Sequence, residues 1–201
     1  MRLHPAFIAS LVILIPVQAS SHFVLLEPTP TLVLDDRGNP QKPEPCGGTT
    51  HGSNPATAAV TPIRGGSQLH IKVVETVYHP GHYRIALAGD AGGLPADPET
   101  VTRPTDKGPY SVSAKIETKP KPPVLVDGLF AHTERFPSGH IWETDVRIPN
   151  IDCDNCTLQV IQWMAEHGFN ADGGYTYHHC AELKITADPK LPREPDWTPK
   201  K

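Results

Sequence analysis

Long apolar runs are scarce in this chain. Beyond its N-terminal segment nothing approaches the roughly 20 consecutive apolar residues that a membrane-spanning helix requires. Long helices are also disfavoured, because 23 prolines and 16 glycines are dispersed through the sequence and interrupt helical runs almost everywhere. Aromatics supply only 6% of the residues, so any ring-lined binding face has to be built from few side chains. Positive charge is short as well. A formal charge of −4 provides no basic footprint, and neither nucleic acid nor an anionic membrane surface is expected as a partner.

What is present begins with an export signal. Arg2 supplies a positive end, Ala6 to Val17 form an apolar stretch, and the small residues Ala19, Ser20 and Ser21 follow. A secreted or periplasmic product is expected, soluble once 1–21 is removed, with one domain over 22–187 and a flexible Pro-rich tail over 188–201. Trp197 in that tail reads as an exposed aromatic. Cleavage after Ser21 would make His22 the first residue, whereas Val17-Gln18-Ala19 is an equally good signal that would leave Ser20 first. The choice matters chemically. A terminal amine has a pKa of about 7.7–8.0, so a metal can displace its proton near neutral pH and bind amine and imidazole of one histidine together. The alternative is that His22 is an ordinary early strand residue.

Short runs rich in β-branched and aromatic residues recur between turn signals, which points to an all-β, two-sheet sandwich. Strands are expected over 22–27, 57–61, 68–75, 83–88, 124–130, 140–148, 157–166 and 175–186. The run Tyr83-Arg84-Ile85-Ala86-Leu87 alternates as a strand with one face on a core should. Connections over 28–55, 89–123 and 168–174 are long for a plain sandwich, and function is expected on them. Cys46, Cys153, Cys156 and Cys180 in an exported chain read as two disulfides, with three connectivities open. The Cys153-x-x-Cys156 pair with His178, His179 and Cys180 could instead hold zinc.

Two further segments carry candidate chemistry. Pro80 biases His79 towards an extended backbone and Gly81 permits a turn, so His79 sits at a loop edge with restricted freedom, which suits a metal ligand or a turn histidine bonded to backbone. In Tyr175-Thr176-Tyr177-His178-His179-Cys180, neighbouring side chains point to opposite faces. His178 and His179 are therefore not a natural pair, whereas Tyr177 and His179 share a face. By the same alternation His82 lies opposite Tyr83.

These residues together resemble the lytic polysaccharide monooxygenases, and most closely a bacterial polysaccharide-monooxygenase-like group of exported proteins. The pieces that carry the resemblance are His22-Phe23 with Glu27-Pro28, the turn Pro45-Cys46-Gly47, the run His79-Pro80-Gly81-His82-Tyr83-Arg84, and Cys153-Asp154-Asn155-Cys156-Thr157-Leu158-Gln159 leading to Tyr177-His178-His179-Cys180-Ala181. The resemblance implies an immunoglobulin- or fibronectin-III-like sandwich. It implies one copper ion in a brace of the His22 amine and imidazole plus His79, with Tyr177 axial, and disulfides Cys46–Cys180 and Cys153–Cys156. It also implies oxidative cleavage of a polysaccharide (chitin, cellulose or a hemicellulose) using an external electron donor, by a protein expected to be monomeric. A planar nitrogen set suits Cu(II) better than zinc, which prefers a tetrahedron. One departure stands out: the cellulose-active branch has glutamine two residues before the axial tyrosine, where this chain has Tyr175. Gln159, Gln162 and His179 are the candidates to support the site instead, and Tyr78, Tyr83, Phe169 and Tyr175 the candidate stacking rings. Competing functions are a copper-handling protein on the same scaffold and a metal-free glycan-binding module.

Overall fold

The structure, a computed structural model, describes residues 22–48 and 54–197; residues 1–21, on which the expected export signal falls, and 198–201, the end of the expected flexible tail, lie outside them. Ten strands follow in chain order: β1 His22–Glu27, β2 Val60–Arg64, β3 Gln68–Val77, β4 Gly81–Ala88, β5 Thr100–Arg103, β6 Tyr110–Ala114, β7 Val124–His132, β8 His140–Arg147, β9 Cys153–Met164 and β10 Thr176–Thr186. Two single-turn 3-10 segments, Ala91–Gly93 and Pro195–Trp197, are the only helical pieces among the described residues.

The expected two-sheet sandwich is what forms. One sheet has the order β1-β3-β8 and the other β2-β10-β9-β4-β7. Apolar residues at alternate strand positions meet between them: Phe23 and Leu25 of β1, Ile71 and Val73 of β3, Tyr83 and Ile85 of β4, Leu158 and Val160 of β9, and Tyr177 and Ala181 of β10. All pairs are antiparallel except β10 with β2. Fully burying a side chain of this size contributes about 1.5–3 kcal/mol, so this inner layer is the main source of stability.

Several expectations change. Strand β2 starts three residues later than anticipated, and the segment 89–123 is not an open loop but carries the hairpin of β5 and β6. That connection lies over the outer face of the larger sheet. Trp163 Nε1 donates to Thr100 Oγ1 at 2.9 Å, and Arg84 Nη2 to the Ala96 carbonyl at 3.0 Å. As a result β4 is buried on both faces rather than one, and its outward His82 and Arg84 are covered. Trp197, anticipated as exposed, is partly buried against the core. Its segment is tied down by fully buried Asn150, whose Nδ2 donates to the carbonyls of Asp188, Leu191 and Pro192 at 3.1, 2.9 and 3.0 Å.

Both disulfides implied by the resemblance are present, Cys46–Cys180 and Cys153–Cys156, so no thiol remains for a zinc site. The first pins the loop after β1 onto β10. Gly47 adopts φ +76°, open to glycine without strain, and a Cβ there would come within 2.6 Å of the His178 carbonyl, so the loop lies flush against the strand.

Candidate functional site

His22 begins β1 and is held on both sides. Its carbonyl accepts from Thr76 Oγ1 at 3.0 Å, and the amide of the next residue, Phe23, donates to Oε1 of buried Gln41 at 3.2 Å. In register His22 faces Val77, two residues before His79. His79 lies in the turn between β3 and β4, as the Pro80-Gly81 pair anticipates. Its amide donates to Glu75 Oε1 at 2.8 Å. Glu75 is itself buried, and its other oxygen accepts from Trp142 Nε1 at 3.2 Å and lies 3.3 Å from His132 Nε2.

The rings converge from separate parts of the chain. His22 meets Tyr177 edge-on at 5.6 Å between centroids, Tyr177 lies 6.4 Å from His167, and His167 lies 4.8 Å from His79. All four residues are buried. Three imidazoles and a phenol are thus gathered at one end of the sandwich, where β1, the β3–β4 turn, the segment after β9 and the start of β10 meet. Nitrogen donors in this number suit a transition metal.

His167 and Glu75 are the members that sequence reasoning missed. His167 follows β9 directly, and burial, reinforced by the nearby His79, pushes its pKa down to about 4. It is therefore neutral at physiological pH. Its Nδ1 donates to the Gly168 carbonyl at 2.5 Å, which leaves the lone pair on Nε2. A histidine at the head of the long 168–174 connection was the available signal. For Glu75 no local pattern marks a carboxylate that reaches four residues ahead to fix a ligand's backbone.

The other anticipated residues separate by face. Gln162 pairs with both Tyr177 and Tyr83 across the sheet and shares their inner face. Gln159 does not: it pairs with Cys180 and donates from Nε2 to the Pro45 carbonyl at 2.8 Å, so its candidacy beside the site is corrected by strand alternation. His179 lies on the Tyr177 face but deeper, donating from Nε2 to the Phe23 carbonyl at 2.9 Å. Full burial pushes its pKa down to about 4, and its visible role is to brace the strand that carries His22. His178 projects to the opposite face. His82, on the outer face as alternation requires, stacks near Trp163 and lies 3.7 Å from Asp127; burial pushes its pKa down against the pull of that carboxylate.

Around the rim, Tyr83 is removed as a stacking ring because it is fully buried between Phe23 and Phe130. Phe169 is 61% exposed and packs edge-on with Tyr175 at 5.6 Å. Both belong to the loop whose Asn170 Nδ2 donates to the Tyr177 hydroxyl at 3.5 Å. This loop joins exposed Phe169 and half-buried Tyr175 to the buried ring cluster.

No family model matches the sequence. No curated protein matches it either. Among solved structures the fold is similar to that of the lytic polysaccharide monooxygenase AA15 from Thermobia domestica in its Cu(I) state, with 16% identity over 65% of each chain and a TM-score of 0.36. The chain thus spans about two thirds of the length of that protein.

Proposed function

We propose that the exported chain, processed to begin at His22, is a copper protein that oxidises a polysaccharide. The observation that carries this reading is the convergence of His22, His79 and Tyr177, three residues distant in sequence, at one end of the sandwich beside a neutral imidazole. The donor set fits the group. His22 would contribute its freed amine and its imidazole, His79 an imidazole, and Tyr177 a weakly held phenol oxygen. When bound, copper supplies one-electron redox chemistry able to remove hydrogen from a carbon of the glycosidic linkage, with an external donor providing electrons.

The protein's own side chains supply position and exclusion of water. Glu75 holds the His79 backbone, while Thr76 and Gln41 hold the His22 strand from either side, so both ligands are fixed before a metal arrives. His167, neutral and with its free lone pair on Nε2, can accept a proton beside the ligands without adding a buried charge. Exposed Phe169, with half-buried Tyr175 packed against it, offers a ring face on which a sugar can stack.

The test begins with N-terminal sequencing of the secreted protein, followed by copper titration of the wild type and the variants His79→Ala and Tyr177→Phe. Each form is then incubated with a reductant and chitin, cellulose or hemicellulose. His22 first, Cu(II) affinity lowered by orders of magnitude in His79→Ala, and oxidised sugars from the wild type are the expected results. Ser20 as the first residue of the active form would remove the brace. Tight copper binding with no oxidised product from any polymer would leave a copper-handling protein on this scaffold.

A further inference from the structure

A second set of donors lies on the opposite face of β10. His178, the neighbour of Tyr177, projects away from the ring cluster into the layer between the larger sheet and its covering loops. There it meets Asp97, from the connection before β5, and Glu44, from the loop after β1. One ligand atom from each of the three lies within 4.8 Å of the others. The cluster is more than exposed acids, since His178 is fully buried and each of its ring nitrogens is committed.

The commitment of those nitrogens is informative. Nδ1 donates to the Lys42 carbonyl at 2.8 Å, which turns Nε2 towards the carboxylates, 2.8 Å from Asp97 Oδ1. Metal-bound histidines characteristically donate the far nitrogen to a backbone carbonyl in this way, which fixes the tautomer and the ring plane. With Nδ1 so occupied, Nε2 and a carboxylate oxygen can stay this close only with a cation on or between them, either a proton or a metal. Asp97 and Glu44 raise the same demand. Burial and the adjacent Asp97 push the Glu44 carboxyl above its usual range. Arg84 lies near enough to feel both carboxylates, and its Nη2 donates to the Ala96 carbonyl rather than to either of them.

Rigidity and access are both built in. Glu44 stands two residues before Cys46 and His178 two before Cys180, so the Cys46–Cys180 disulfide locks the loop to the strand beside the cluster. Glu44 and Asp97 also line a cleft of about 430 Å³ with Thr100, Tyr175 and Thr176, which leaves room for water or an exogenous ligand. Tetrahedral zinc, with bonds of about 2.0–2.2 Å to nitrogen and oxygen, needs donors roughly 3.4 Å apart. To reach that spacing the 2.8 Å between His178 Nε2 and Asp97 Oδ1 would widen by about 0.6 Å and the exposed Glu44 side chain would turn in.

We propose that Glu44, Asp97 and His178 form a second metal site, selective for a divalent cation that accepts mixed imidazole and carboxylate ligands, zinc foremost, with its open position facing the cleft. This site does not depend on the copper reading. Three protein ligands and an open position is the arrangement of zinc sites that handle water or substrate, whereas closed four-ligand sites are structural.

The experiment titrates Zn²⁺, and Co²⁺ as its visible-absorbing substitute, into the secreted protein preloaded with Cu²⁺ and into the His79→Ala variant. Saturable uptake of one Zn²⁺ is expected in both, with a tetrahedral Co²⁺ spectrum. Glu44→Gln and Asp97→Asn should each weaken uptake by about tenfold or more. Glu44 is exposed, so its variant decides the matter even if Asp97→Asn folds poorly. No saturable Zn²⁺ uptake by the wild type, uptake unchanged in Glu44→Gln, or uptake abolished by His79→Ala would each overturn the proposal. If copper fails to bind but Zn²⁺ uptake is lost in Glu44→Gln, the copper reading falls and this site stands.

Discussion

Replacing Glu75 with alanine tests whether the ligand-bearing turn is held as the structure indicates. Glu75 is buried, and its two oxygens serve three partners: the His79 amide at 2.8 Å, Trp142 Nε1 at 3.2 Å and His132 Nε2 at 3.3 Å. Burial alone would push the His132 pKa down, but its bonds to Glu75 and to the Phe130 carbonyl together raise it above the ordinary value. A histidine whose folded pKa is raised contributes stability that is fully present below its unfolded pKa of about 6.5 and is lost as pH rises through the folded pKa. The cost of Glu75→Ala therefore depends on pH. Near pH 5.5 the variant breaks a buried ion pair and should lose about 3–5 kcal/mol. Towards pH 8.5, as His132 loses its proton, the cost falls towards the orphaning of the His79 and Trp142 N–H groups, about 1–3 kcal/mol. Against a total stability of about 5–15 kcal/mol both losses are measurable, and the larger corresponds to a fall in Tm of roughly 6–20 °C. Urea denaturation of metal-free wild type and variant at the two pH values gives the comparison. A loss that is equal at both, or larger at pH 8.5, would refute the assignment of a charged His132 paired with Glu75.

Three further outcomes can be checked directly. The Cys46–Cys180 bridge closes a sequence separation of 134 residues, so its removal by double substitution to alanine should cost about 5 kcal/mol, read as a lower urea midpoint. Asn150→Ala removes the donor shared by the carbonyls of Asp188, Leu191 and Pro192, of which only Asp188 keeps another partner, the Leu191 amide, and orphans the Asp188 amide, which donates to Asn150 Oδ1 at 2.7 Å; a loss of about 2–4 kcal/mol and a red shift of Trp197 fluorescence are expected, whereas an unchanged emission spectrum would mean that the segment is held by other contacts. Tyr177→Phe removes only a hydroxyl with one long bond to Asn170, so it should cost at most about 1 kcal/mol while leaving copper bound; loss of copper on titration would make the phenol a stronger ligand than its geometry suggests.

What the sequence revealed and what it hid divide along a physical line. Period-two alternation is local, so it located β1 and β8 almost to the residue and told correctly that His178 and His179 face opposite ways. It could not tell which outer faces would be covered. The hairpin of β5 and β6 reads as loop in the sequence because Thr100–Arg103 and Tyr110–Ala114 are short, and yet the connection that carries them buries Trp163, Arg84 and His178.

The same line separates the two histidines proposed as copper ligands from the residues that hold them. His22 and His79 stand out through their neighbours in sequence, the expected export segment in one case and Pro80-Gly81 in the other. Their supports come from cross-strand and loop-to-strand contacts with no sequence neighbour to report them: Gln41 at Phe23, Glu75 at Trp142 and His132, His167 at His79. Gln159 shows the limit from the other side. A glutamine on the right strand was a fair candidate, but being three residues from Gln162 set it on the opposite face, where it bonds the Pro45 carbonyl in the disulfide-tethered loop. Parity thus decides which residues can reach a site in a sandwich, and the disulfide decides which loop lies over the other face. In this chain the consequence is that Tyr177 and His178, adjacent along β10, belong to two different clusters on opposite sides of one sheet, so a substitution at one can be read without disturbing the side chains of the other.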